Sequence, residues 1–302
     1  MEIRSVAAIR RISLALSLSC VAAGTAAAQQ LSYDGFGNGP LPNLQGSNGG
    51  TGWSSNWADG GYDVTTSVST VGLSYPGLAL TPGAAVTGPD GGVYPISSYV
   101  RSFGPLPPGT TKVYVSFLLR EDVSASGWGG LSFGTYPFAM AVGAPPGAYL
   151  YGLETSEGLG DFSNLPLITG DTTLVVVKIS KNTPGSGITY SMYLNPTIGS
   201  PEPGFPQALF SVGPVNAIPT ALSLRNGGGF TTDEIRVGMT WSDVLPAPPQ
   251  CVGDLNHNGT VDGADLGILL GNWGLPGGDP NGDGTTNGAD LGLMLSVWGP
   301  CP

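Results

Sequence analysis

Histidine is almost absent: His257 is the only one in 302 residues, and there are only three cysteines. A Ser–His–Asp arrangement is therefore poorly supplied, and no free thiol is left over for nucleophilic chemistry. Charge is scarce as well. Charged residues make up 10% of the chain, with 10 Lys and Arg against 21 Asp and Glu and a formal net charge of −11. That balance repels phosphates and argues against a nucleic-acid partner. Also missing is a run of carboxylates at alternating positions, such as Glu-x-Asp-x-x-Glu, which a retaining glucanase of a β-sandwich fold would carry on one strand face. The nearest groupings are Glu121 with Asp122, Glu154 and Glu157 with Asp161, and Asp233 with Glu234. All three read as solvated charge at strand ends or in glycine-rich loops.

What is abundant is glycine, 50 residues, and proline, 27, beside 40% hydrophobic residues. The chain is turn-rich yet apolar enough for a core, which predicts mainly β structure. Residues 1–28 carry Arg10 and Arg11, then an apolar run from Ile12 to Ala23, then Ala26, Ala27 and Ala28 before Gln29. This is the pattern of a cleaved secretory signal peptide, too short for a membrane span, and it predicts a secreted or cell-surface protein. Without that leader only Cys251 and Cys301 remain, bracketing the C-terminal segment, so a disulfide between them is expected in an oxidising compartment.

From Leu31 to about Leu245 there is no long helical periodicity, only short strand-like runs between Gly, Pro, Asn and Ser clusters. Clear strands are expected at Lys112–Arg120, Thr173–Ile179, Ile188–Leu194 and Glu234–Trp241. With no interior linker, residues 29–245 read as one large sandwich, followed by a proline-rich hinge over 246–250 and a separate module over 251–302. The order of the strands, from Tyr33–Phe36 through Phe117–Arg120 and Tyr193–Pro196 to Asp233–Gly238, resembles the concanavalin A-like, laminin-G-like jelly rolls. The resemblance implies that the last strand, Ile235–Trp241, returns beside Leu31–Phe36, with Asp233 and Arg236 tying down a strand end. Trp53, Trp57 and Tyr62, set among glycines, read first as loop aromatics packed over the open end of the sandwich, and second as candidates for stacking on sugar faces.

The C-terminal segment carries the strongest motif, written twice with an offset of twenty-five residues. Asp254, Asn256, Asn258, Thr260, Asp262 and Asp265 form one copy, and Asp279, Asn281, Asp283, Thr285, Asn287 and Asp290 the other. Oxygen-bearing side chains at positions 1, 3, 5, 9 and 12, with glycine (Gly259, Gly284) at 6 and a backbone carbonyl at 7, form an EF-hand loop, which wraps a hard cation in oxygen. Two Ca²⁺ ions are the expected cofactors. The apolar runs Leu266–Leu270 and Leu291–Leu295 predict a short helix after each loop, and Trp273-Gly274 and Trp298-Gly299 read as a core anchor and helix stop.

Loops ending in Asp, each running into a helix, at the end of a secreted modular chain, resemble the type I dockerins. That resemblance implies docking onto a cohesin-like protein module through positions 10 and 11 of each loop, here Gly263, Ala264, Gly288 and Ala289. The helices depart from the family in lacking basic residues, and the spacer Gly274–Gly278 is compact. Three functional readings follow. The first is a non-catalytic secreted protein with a recognition or structural sandwich and a calcium-binding docking module. The second is an extracellular glycoside hydrolase or carbohydrate-binding protein of a dockerin-assembled complex, taking a polysaccharide. The third treats the repeat as a calcium-stabilised cap without a partner.

Overall fold

The structure is a computed structural model. It describes residues 30–61, 65–87, 96–123, 128–134, 140–145, 149–182, 186–215, 217–227, 229–246, 251–256 and 258–301. The leader, Tyr62, most of the proline-rich hinge and His257 lie outside the described residues.

Fifteen strands come first: β1 (Gln30–Asp34), β2 (Ala58–Asp59), β3 (Thr66–Ser69), β4 (Ala84–Thr87), β5 (Ile96–Ser102), β6 (Lys112–Glu121), β7 (Gly129–Phe133), β8 (Met140–Ala144), β9 (Leu150–Thr155), β10 (Gly160–Pro166), β11 (Thr172–Lys181), β12 (Ile188–Leu194), β13 (Ala208–Val212), β14 (Ala221–Gly227) and β15 (Phe230–Gly238). They form two antiparallel sheets. One runs β13-β12-β11-β6-β15-β4-β3, with β1 also on β15; the other runs β10-β9-β8-β7-β14-β5-β2. This two-sheet antiparallel arrangement agrees with the sandwich expected from the sequence.

Strands β6 and β11 explain why the sequence shows near-continuous apolar runs there. On one face Val113, Val115, Phe117 and Leu119 join Val175, Val177 and Ile179 in a core shared with Leu131, Phe133, Val142, Leu153 and Leu224 of the other sheet. On the opposite face Tyr114, Leu118, Leu174 and Val176 pack under Trp241, Val244 and Leu245 and under Leu73 and Leu78. Both faces are therefore dry, each fully buried side chain contributing about 1.5–3 kcal/mol, and alternation with polar residues disappears. Trp241 seals the second cluster by meeting Tyr193 edge-on at 5.1 Å and Tyr114 at 6.1 Å.

The closing strand returns beside the first as expected, with Tyr33 opposite Arg236 and Asp34 opposite Ile235. Its span differs, however. It starts at Phe230 and ends at Gly238, and Thr240 then starts a one-turn helix, α1 (Trp241–Val244), with Asp243 closing a capping box. A second correction concerns Asp233 and Glu234, both 0% exposed rather than solvated. One edge of β15 pairs with β4 at Phe230–Thr232 and with β1 from Ile235 onward, and its ladder to β6 shifts register between Asp233 and Arg236. The two acids occupy that changeover, with Glu234 at φ 55°.

In the C-terminal segment β16 (Thr260–Val261) leads into α2 (Gly263–Gly271), a 3-10 turn at Pro276–Gly278 leads to the second loop, and α3 (Gly288–Ser296) precedes β17 (Gly299–Pro300). Both helices begin three residues before the apolar runs, because Asp262 and Asn287 cap them by accepting from the backbone N–H of Ala264 and Ala289. Val261, Leu269 and Met294 are the buried core. Strand β16 pairs with β17, and Cys251 is bonded to Cys301. The two tryptophans overturn the core-anchor reading: Trp273 is 50% and Trp298 48% exposed, as are Leu270 and Leu295 to a similar extent. Leu269 and Met294, at equivalent places in the two copies, supply the core instead.

Candidate metal-binding loops

The two loops share the backbone-to-side-chain hydrogen bonds of their equivalent described residues. In the first, the Asp254 carboxylate accepts from the N–H of Asn258 (3.1 Å) and Gly259 (2.8 Å). In the second, Asp279 accepts from Asp283 (3.2 Å) and Gly284 (2.6 Å). Asn256 and Asn281 each accept from the N–H two residues on, and Asn258 and Asp283 do the same to Thr260 and Thr285. The last carboxylate reaches back across the loop. Asp265 accepts from Asn256 (3.0 Å) and Asp262 (2.9 Å), and Asp290 from Asn281 (3.1 Å) and Asn287 (2.7 Å). Gly259 and Gly284, at φ 86° and 91°, make the turn that lets the first and last carboxylates grip the same short arc of backbone.

Asp265 and Asp290 are both wholly buried, and Asp254 nearly so. Burial pushes the carboxyls of Asp265 and Asp290 up, but the backbone N–H donors outweigh it and hold both below the usual carboxylate range. Across residues 246–302 there are six aspartates and not one Lys or Arg, so the segment supplies no cationic side chain of its own. Side-chain and carbonyl oxygens without nitrogen or thiolate donors suit a hard dication. Cys251, Asp254 and Cys301 also lie close together, but both sulfurs are spent in the disulfide and Asp254 belongs to the first loop. Gly263, Ala264, Gly288 and Ala289 are exposed at the starts of α2 and α3.

The sandwich treats its tryptophans differently from the sugar-stacking expectation. Trp57 is 1% exposed, its indole N–H donating to Asp34 (2.8 Å), and Trp53, partly buried, donates to the Tyr33 carbonyl (2.9 Å). The Arg101 guanidinium lies against both rings, 4.7 Å from the Trp53 centroid and 5.6 Å from that of Trp57, and pairs with Asp34. Burial raises the Asp34 carboxyl and lowers the Arg101 guanidinium, each opposed by the other's charge. The ring face of Trp57 is thus covered by its own chain, and neither indole N–H is free. The sequence could not join Trp57 to Arg101, which sits on a strand of the other sheet from Asp34.

The other buried carboxylates are similarly engaged. Glu234 takes Arg236, the Tyr33 hydroxyl and the Thr81 N–H, while Asp233 takes the N–H of Leu73 and of Glu234. Glu121 accepts from the Thr169 hydroxyl, and Asp243 from the N–H of Met239 and Thr240.

No family model matches the chain, and neither does any curated protein. Solved structures similar to it at 13–14% identity include domain 4 of an extracellular arabinanase from Geobacillus stearothermophilus, in complex with arabinotriose (13%, covering 72% of this chain and 97% of that one, TM-score 0.43). Similar too are an endo-β-1,4-glucuronan lyase from Trichoderma reesei (14%, 72% and 99%, TM-score 0.39) and a glycosyl hydrolase family protein from Mycobacterium fortuitum (14%, 69% and 99%, TM-score 0.36). Among the described residues, no helix is long and apolar enough to cross a membrane.

Proposed function

We propose that this is a secreted, non-catalytic modular protein: a sandwich over 29–245 serving recognition or structure, a stiff linker over 246–250, and a dockerin-like module over 251–302 that binds two Ca²⁺ ions and docks onto a cohesin-like protein module. The observation that carries the metal reading is the pair of fully buried carboxylates, Asp265 and Asp290, in a segment holding six aspartates and no Lys or Arg. Backbone N–H groups hold both carboxylates ionised, and a bound dication would supply the counter-charge that no side chain of the segment provides. The loops' shared hydrogen-bond scheme would hold Asp254, Asn256, Asn258, Asp265 and the Thr260 carbonyl, and their counterparts, ready for the ion. Docking surfaces are supplied by the exposed helix starts and by Leu270, Trp273, Leu295 and Trp298, apolar side chains left in water twice over.

Engagement of Asp34, Glu121, Asp233, Glu234 and Asp243 by internal partners supports the non-catalytic reading of the sandwich, since none of these acids is left to flank a glycosidic bond. The test is calcium titration calorimetry of the mature chain. Two ions are expected to bind, Asp265→Ala is expected to bind one, and Asp265→Ala with Asp290→Ala none. A wild-type chain that binds no calcium sinks the proposal, as does a double variant that still binds two ions.

A further inference from the structure

The outward face of the seven-stranded sheet holds polar groups that neither core uses. Register aligns Arg225 of β14, Gly130 of β7, Gly143 of β8, Gly152 of β9 and Phe162 of β10 in one row. The alternate positions, Leu224, Leu131, Val142 and Leu153, point into the inter-sheet core, so this row points away from it. Three adjacent strands therefore carry no side chain of their own in this row; the floor is bare over Gly130 and Gly143, about 5 Å from strand to strand, and Gly152 lies under the Phe162 ring. Phe162 bounds that floor on one side. Its ring lies where a Gly152 side chain would be, 2.4 Å from the Cβ position, and it is 39% exposed. Arg225 bounds the other side, and Glu154, one row along, feels its charge.

Two donors on this side are orphaned. Gly129 faces Phe230 in the core, and its neighbour Trp128, the residue before β7, belongs to none of the apolar clusters. Trp128 is only 5% exposed, yet among the described residues its indole N–H has no partner, and neither has the buried Nε–H of Arg225. Buried donors are rarely left unpaired in folded proteins, because leaving them so costs more than a made bond returns. An acceptor from beyond the described residues is needed for both.

We infer that this face binds a neutral polysaccharide chain, with the glycine floor admitting a sugar ring, Phe162 stacking on it, and Trp128, Arg225 and Glu154 bonding its hydroxyls. Hydroxyls both accept and donate, matching two donors and a carboxylate. The opposite charges of Arg225 and Glu154 cancel locally, and a net charge of −11 disfavours an anionic polymer. The inference rests on the recognition role proposed for the sandwich, but not on calcium.

The test is native affinity electrophoresis of the mature chain in gels containing mixed-linkage β-glucan, xyloglucan, galactomannan or polygalacturonate, each with and without chelator. Retardation by at least one neutral polymer is expected, with chelator present or absent, and at least tenfold weaker for Arg225→Gln and for Phe162→Ala. Phe162 is exposed on an edge strand, so its variant keeps the fold, which the melting temperature verifies. Retardation by no neutral polymer would assign the donors to ordered water and overturn the inference, and so would retardation by polygalacturonate alone. Equal retardation of both variants would place the binding surface elsewhere, leaving the recognition role intact while removing this face from it.

Discussion

Replacing Cys251 and Cys301 by Ala gives a test of how the C-terminal segment is held together. The bond closes a loop with a sequence separation of 50 residues. Opening it returns chain entropy to the unfolded state worth about 4 kcal/mol. The apolar core there consists of Val261, Leu269 and Met294 as fully buried side chains. Together these contribute about 5–9 kcal/mol before any ordering cost. Each of the two proposed ions, present at a thousand times its dissociation constant, would add about 4 kcal/mol, about 8 kcal/mol together. The two proposed ions would together outweigh the disulfide, and both would staple a core too small to stand alone. Limited proteolysis of the mature chain, read by mass, separates them. Opening the disulfide alone is expected to raise cleavage between residues 251 and 301 by up to about a thousandfold, and chelation, which removes both ions, by more, since each 1.4 kcal/mol is a factor of ten. Removing both staples should leave the segment cleaved at the rate of an unfolded chain. If the Cys251→Ala, Cys301→Ala variant in chelator resists protease as well as the wild type in calcium, the reasoning fails.

Trp57→Ala should cost about 3–5 kcal/mol of sandwich stability, as for a fully buried ring, and Arg101→Met about 3–5 kcal/mol by leaving Asp34 buried without its partner. Both are read from denaturant midpoints, and a Trp57→Ala chain of wild-type stability would contradict the packing described. Asp233, pushed up to about 8 by burial, binds its proton more tightly folded than unfolded. Its contribution to stability is therefore full below about pH 4 and lost as pH rises through about 8. Asp233→Asn should flatten the melting temperature over that window, and an unchanged slope would assign the pH dependence to another group.

The parts legible in the sequence were those dictated by local pattern. Strands β6, β11 and β12 lie within two residues of their expected ends because unbroken apolar runs leave little choice of register. The loops and helices of the repeat followed from spacing alone, and the capping side chains of Asp262 and Asn287 account for the earlier helix starts. What stayed hidden depends on partners distant along the chain. Asp233 and Glu234 look solvated until β15 is seen to exchange β4 for β1 beside them. Trp57 reads as an aromatic packed over the sandwich end, but its partner Arg101 is hidden until the strands are placed. Gly130, Gly143 and Gly152 are unremarked turn formers until register puts them side by side.

The joined ends of the C-terminal repeat also set how it carries tension. Cys251 and Cys301 are bonded, and Thr260 and Val261 pair with Pro300 and Gly299, so both ends of the segment leave from one corner. A pull arriving from the sandwich at Cys251 is shared at once with the far end instead of running in series through α2, the second loop and α3. Gripped by its helices, the module would carry a pull along two parallel routes, through the first loop into α2 and through the disulfide and β17 into α3, so only the second loop would lie off the load path.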